Sequence, residues 1–338
     1  MNNNMKRDRF WDSLKFILIF FVVYGHMIET YTPDGSFNRA MYNFIYTFHM
    51  PFFMFISGRF SQIKDRKKYL SGIILILETY IVFQIIRCIK PIIAGGTISI
   101  SDLISPKGTL WYIAYLAIYR FIMYIVPHKY RNRYPVIIIS TSFAIGILWG
   151  FIPICAHEKI ISFFPYFIMG YYSVLFNIKD NIKKIPLFVS FIGIVTIFAI
   201  IYVFINYNIG YIIYYETNYY LVDFKTAPLI LCIDRIIVYI SAIIISILIM
   251  RVVLCANIFS SYGSTTLFIY MYHTFIVLSL RSLISNSFIP QNMFLLLIYT
   301  ILILIGLIYL SNISFLRYLM NPITCIKNNI EKSHKNSI

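Results

Sequence analysis

The stretch WDSLKFILIFFVVYGHMIETY, residues 11–31, decides the class of fold. Its large apolar residues run on without a break instead of alternating, which suits a helix and not a strand with one lipid face. About twenty residues at a 1.5 Å rise cross the ~30 Å hydrocarbon layer of a bilayer. The run is long enough to span and has no small-residue cleavage site, so it reads as a first membrane helix and not as a removable signal peptide.

Working outward, apolar stretches of this kind recur as far as Asn312. They predict helices near 11–31, 41–58, 70–93, 109–126, 135–152, 160–178, 186–206, 227–250, 260–282 and 291–313. Composition agrees, with 59% hydrophobic and 12% charged residues, where a soluble domain carries about 25% charged. The expected fold class is therefore all-α: a polytopic membrane helix bundle of about ten transmembrane helices. One integral-membrane domain fills 1–338, and residues 314–338 form a short basic cytoplasmic tail.

The net charge of +16 is distributed as a topology signal and does not call for a nucleic-acid partner. Arg59, Lys64, Arg66, Lys67 and Lys68 fall in one connection, Lys129, Arg131 and Arg133 in another, and Lys179, Lys183 and Lys184 in a third. The alternate connections hold Arg39, Lys107, Lys159, Lys225 and Arg281. The positive-inside rule then places both termini in the cytoplasm and the chain in the cell membrane as a multi-pass protein. The five cysteines are scattered without a CxxC, which suits small buried hydrophobes better than zinc ligands or disulfides.

Ionisable side chains at membrane depth are costly, and each is a functional candidate unless it serves only to pair with another helix. The set comprises Lys15, His26, His49, Glu78, Arg87, Lys90, Arg120, Asp234, Arg235 and His273. Depth sorts the histidines. His26 and His273 come out about 20 Å from the cytoplasmic ends of their spans and His49 about 12 Å below the outer surface, all in the outer half. Imidazole titrates near neutrality, so one histidine can take a proton from a hydroxyl. A three-histidine zinc site is the rival, without an HxxxH pattern or a neighbouring carboxylate to support it, and no metal is expected.

The local sequences resemble membrane acyltransferase family 3, especially its fucose 4-O-acetylase-like branch. RFWDSLKFILIFFVVYGH (9–26) is similar to the family's first helix, with its basic residue, ten intervening residues and a histidine. Lys15 stands where many members carry arginine. YTFHMPFFMFISG (46–58) resembles the second helix, GTLWYIAYL (108–116) the fourth, FFPYFIMGYY (163–172) a later one, and YGSTTLFIYMYH (262–273) the late segment that ends in histidine.

The resemblance implies acyl transfer across the membrane, from a cytoplasmic acyl-coenzyme A, acetyl-CoA first among them, to a sugar hydroxyl of a surface glycan or lipid-linked sugar. His26, with His273 and His49, is then the catalytic set. Lys15, Arg120 and Arg87 are the candidates for the donor, and Trp111, Asp234 and Arg235 for the acceptor. A peptidoglycan acceptor, or a transporter that uses the buried cations to hold a small anion or glycan intermediate, are the competing expectations. Oligomeric state is not readable from the sequence.

Overall fold

The computed structural model of the chain describes residues 8–33, 35–93, 95–97, 99–100, 104–106, 108–148, 158–204, 227–256, 258–284 and 292–326. No strand occurs among the described residues. In chain order the helices are α1 (Arg9–Ile28), α2 (Phe37–Arg59), α3 (Arg66–Ile93), α4 (Trp111–Ile125), α5 (His128–Arg133), α6 (Pro135–Leu148) and α7 (Glu158–Ser162). They continue with α8 (Phe164–Tyr172), α9 (Ile178–Lys183), α10 (Leu187–Val203), α11 (Ala227–Ala256), α12 (Thr266–Ile284), α13 (Met293–Leu310) and α14 (Ser314–Met320). Tight 3-10 turns at Gly108–Leu110 and Ser260–Ser264 lead into α4 and α12.

Among the described residues, six helices are long and apolar enough to cross a membrane: Arg9–Ile28, Arg66–Ile89, Gly108–Ile125, Cys232–Ala256, Thr266–Leu283 and Met293–Leu310. The four other predicted spans also fall on helix. α6 and α10 are apolar but shorter, and the span predicted over 160–178 breaks at Phe163 between α7 and α8. α2 has the length, but Asn43, Thr47, His49 and Ser57 along it lower its apolar character. The tyrosine-rich connection 206–226 and the tail after 326 lie outside the described residues.

The chain divides into two compact units, Met1–Gln62 with Tyr134–Leu304, and Ile63–Arg133 with Ile305–Ile338. In the first unit α1 is buried on nearly every side, through Leu14, Leu18, Ile19, Val22 and Val23, so it runs through the middle of that core. α10 does the opposite and exposes Phe188, Phe191, Ile192 and Val195. A face so apolar would be a liability in water and is what lipid requires. α2 and α8 approach to backbone contact: a Cβ on Gly58 would overlap the Phe167 carbonyl, and one on Gly170 the Phe55 carbonyl. Small residues allow such crossings, where dispersion between backbones replaces the missing hydrophobic drive.

In the second unit Glu78 is engaged by the chain near Ile323. Its carboxylate accepts from the backbone N–H of Ile323 and Thr324, at 2.5 and 3.1 Å, and from the Thr324 hydroxyl. Backbone donors that have no helical partner at a helix start draw a carboxylate more readily than a distant cation does.

Candidate active site

Three helices of the first unit deliver the predicted histidines to one place. His26 lies in the last turn of α1, His49 halfway along α2 and His273 in the second turn of α12. The His26 and His273 rings are 5.4 Å apart between centroids. Tyr46 links the third, with its ring 6.0 Å from His26 and 4.7 Å from His49. Tyr46 can lie against α1 because the neighbouring position is Gly25, where a Cβ would stand 3.1 Å from the tyrosine ring.

The hydrogen bonds fix how each imidazole is presented. His49 Nδ1 donates to the Ile45 carbonyl (2.7 Å) and His273 Nδ1 to the Tyr270 carbonyl (2.7 Å). A carbonyl only accepts, so the proton of each neutral ring sits on Nδ1, and Nε2 keeps the lone pair. His26 Nδ1 faces the Glu29 carboxylate at 3.3 Å and the Tyr46 hydroxyl at 3.2 Å, which leaves its Nε2 as the basic nitrogen too. Burial separates the three. His49 and His273 are 2% and 0% exposed, whereas the His26 side chain keeps 20% of its surface accessible.

Glu29, Tyr46 and Arg281 are the residues that sequence reasoning missed. The sequence reading denied the histidines a neighbouring carboxylate, and the structure corrects it: Glu29 lies three residues beyond His26, where helical spacing turns its side chain back onto the imidazole. Arg281, predicted as an outside-loop cation, belongs to the last turn of α12. It donates to the His26 carbonyl (3.0 Å) and to Glu29 Oε2 (3.1 Å), clamping the end of α1 to α12. A His-x-x-Glu spacing at a span's end was the available signal for Glu29. Tyr46 and Arg281 needed the fold.

At the other end of α1, Lys15 is not a bare cation. It pairs with Asp12 at 2.7 Å and lies 4.9 Å over the Phe60 ring. It lies eleven positions before His26, about 16 Å along the helix. Gly263 packs on Asp12 so closely that an added Cβ would overlap the aspartate, which ties the turn before α12 to this pair.

The other predicted cations do not converge. In the second unit Arg87 donates to Thr109 Oγ1 (3.0 Å) and Arg120 lies 4.6 Å over the Tyr69 ring. Thr109 and Arg120 are about 16 Å apart along the chain's rise, so the two guanidinium groups cannot share one phosphate. Lys90's side chain lies outside the described residues. Trp111 packs on Tyr112 and Tyr115, with centroids at 6.3 and 5.7 Å. In the first unit Arg235 is buried and donates to the Gly146 carbonyl (2.9 Å) and Ser162 Oγ (3.4 Å), tying α11 to α6 and α7, while Asp234 is half-buried. Among the described residues no group of three His, Cys, Asp or Glu stands in metal-binding geometry.

A family model described as an acyltransferase domain matches residues 8–312. The chain belongs to membrane acyltransferase family 3. The match to this acyltransferase family takes in α1, α2 and α12 whole, and with them all three histidines, Lys15, Glu29, Tyr46 and Arg281. It stops before α14. No curated protein and no solved structure matches the chain.

In this family 3 acyltransferase the Glu29 carboxylate stands against His26 Nδ1, which makes it the residue to test for an effect exerted through the ring. Glu29→Gln keeps an acceptor beside Nδ1 but removes the charge that holds the imidazole and Arg281 together. The expected result is a fall in kcat of about tenfold with KM for both substrates within a factor of two, and partial recovery in Glu29→Asp. A kcat unchanged in Glu29→Gln would detach the carboxylate from catalysis.

Proposed function

We propose that the chain is an O-acyltransferase of the cell membrane. It moves an acyl group, acetyl first among the candidates, from a cytoplasmic acyl-coenzyme A to a sugar hydroxyl of a surface polysaccharide such as capsule or exopolysaccharide. Family membership supports acyl transfer, and the segments that resemble the fucose 4-O-acetylase-like branch point to a sugar acceptor. The observation that carries the mechanism is the asymmetry of the histidines: His26 combines a carboxylate partner with an accessible ring, whereas His49 and His273 are buried.

In this reading His26 Nε2 takes the proton of the acceptor hydroxyl as its oxygen attacks the thioester carbonyl. The C–O bond forms, the C–S bond breaks, and the proton passes through His26 to the departing coenzyme A sulfur. Glu29 stabilises the imidazolium that forms in between, as the third member of a nucleophile–base–orienter arrangement. His273, protonated at Nδ1, offers a lone pair at Nε2 and therefore orients a hydroxyl better than it stabilises an oxyanion. Lys15, toward the basic end, meets donor phosphate by sharing its charge between Asp12 and the ligand.

The test is label transfer from radioactive acetyl-coenzyme A to a panel of surface glycans by the protein in liposomes. Donor-dependent glycan labelling supports the reading. Absence of donor binding and of turnover across the panel would sink it and move the transporter forward. Lys15→Ala is expected to raise the donor KM about tenfold, the worth of one charge-assisted hydrogen bond, with kcat little changed. An unchanged donor KM would remove Lys15 from the donor site.

A further inference from the structure

Apart from the histidine cluster, the first unit contains an almost wholly apolar cavity of about 390 Å³ between α2, α6, α8, α9 and α11. It reaches in to Phe52 and Tyr166, each 1% exposed, beside Pro51, and it emerges at Phe176 and Asn181, which are exposed. Pro51 has no N–H, so α2 lacks one rung of its ladder at the point where the cavity meets it. The Ser246 hydroxyl inside is turned back onto the Ala242 carbonyl (2.7 Å), which leaves a wall of hydrocarbon.

The mouth is different in kind. Three cations are each hydrogen-bonded to a residue that lines the cavity: Arg59 to Ser173 Oγ (2.9 Å), Lys184 to Asn181 Oδ1 (3.4 Å) and Arg251 to the Ile185 carbonyl (2.5 Å). All three acceptors are neutral. Of the nearby carboxylates, Asp180 is directed to Lys183 at 3.8 Å, and Asp8, close enough to act on Arg59, is bonded to Lys179. Cations on the basic side of a membrane protein are ordinary topology signals. That three of them are bonded to lining residues of one slot is not explained by topology.

We infer that the cavity holds one acyl chain of an anionic phospholipid from the leaflet on the basic side, with the lipid phosphate among Arg59, Lys184 and Arg251. The volume takes roughly a dozen methylene-sized groups at ~30 Å³ each. An amide-bearing pantetheine arm would find no partners on these walls, and its desolvation would oppose entry. A zwitterionic lipid would fill the slot but bring no net negative charge to Arg59, Lys184 and Arg251. The inference stands on the cavity and its rim and does not depend on the acyl-transfer reading.

The experiment exposes the purified full chain, in mild detergent, to vesicles of phosphatidylglycerol or phosphatidylcholine and counts retained lipid by native mass spectrometry. One phosphatidylglycerol is expected to stay bound, on the order of tenfold or more in preference to phosphatidylcholine, as three interfacial cations imply. The combined variant Arg59→Gln, Lys184→Gln, Arg251→Gln is expected to lose the preference and keep weak retention of either lipid. Ile247→Trp, which fills the slot, is expected to lose both, with Ile243→Phe as a second filling variant should the first not yield folded protein. Equal retention of the two lipids by the unaltered chain, or undiminished retention in a folded filling variant, overturns the inference. So does displacement of phosphatidylglycerol by palmitoyl-coenzyme A at concentrations where palmitoyl phosphatidylglycerol, an anionic single-chain lipid, has no effect, which would give the slot to the donor's acyl chain.

Discussion

Replacing His26 by alanine is expected to lower the turnover of acyl transfer by about 10²–10⁴-fold, the usual worth of a positioned general base. The loss falls on kcat, because the proton moves in the transition state and the ring is not needed to hold either substrate. The protein itself is expected to stay folded. His26 is at the end of α1 with its ring partly accessible, so truncation opens a recess toward solvent and not a sealed void. Glu29 retains Arg281 after the substitution, so no charge is stranded. His26→Gln sharpens the result, since glutamine can still donate to Glu29 but cannot carry a proton through the reaction. An equal loss in both variants, with unchanged thermal midpoints, assigns proton transfer to His26. Turnover within tenfold of the unaltered chain in either variant would place the base elsewhere. His273→Ala is a poor substitute for this test, because that ring is fully buried and its removal leaves a cavity whose cost appears as lost stability.

The histidines were legible because depth is nearly a sequence property in a membrane protein. A fixed rise per residue and a fixed bilayer thickness place His26, His49 and His273 at one level before any packing is known. What level alone does not reveal is azimuth and partner. Glu29 was hidden by its position at the edge of the first predicted span, where a carboxylate reads as an ordinary helix end. Arg281 was hidden for the same reason, sorted as a loop charge although α12 carries it inward to the His26 carbonyl. Lys15 is a candidate for the donor in sequence, and Asp12, three residues earlier, meets it in the fold. The cations of the second unit show the limit in another way. Arg87 and Arg120 look alike in sequence, yet one is hydrogen-bonded to Thr109 and the other is stacked on Tyr69. The helices themselves were more legible than their ends: the break at Phe163 inside one predicted span depends on Pro165 opening α8, and hydropathy does not register it.

Gly170→Ala is expected to do more damage to the protein than any change among the surface residues of α10. The added Cβ would overlap the Phe55 carbonyl, and the obstacle is backbone, which no rotamer change can move aside. Overpacking by a methylene costs about 1–3 kcal/mol where side chains can give; here α2 and α8 must separate, against a total stability of about 5–15 kcal/mol. Gly58 faces the Phe167 carbonyl in the reciprocal position, so the crossing has a glycine on each side and cannot relieve the strain by sliding. Because α2 also carries Tyr46 and His49, even folded protein is expected to lose activity as the two helices part. The measurement is the monodisperse yield and thermal midpoint in detergent, with Gly306→Ala on α13 as the control. An alanine there meets no atom within 4 Å, and its better helix propensity leaves stability equal or slightly higher. A Gly170→Ala protein that purifies and melts like the control would mean that α2 and α8 do not approach so closely, and the placement of Tyr46 between His26 and His49 would fall with it.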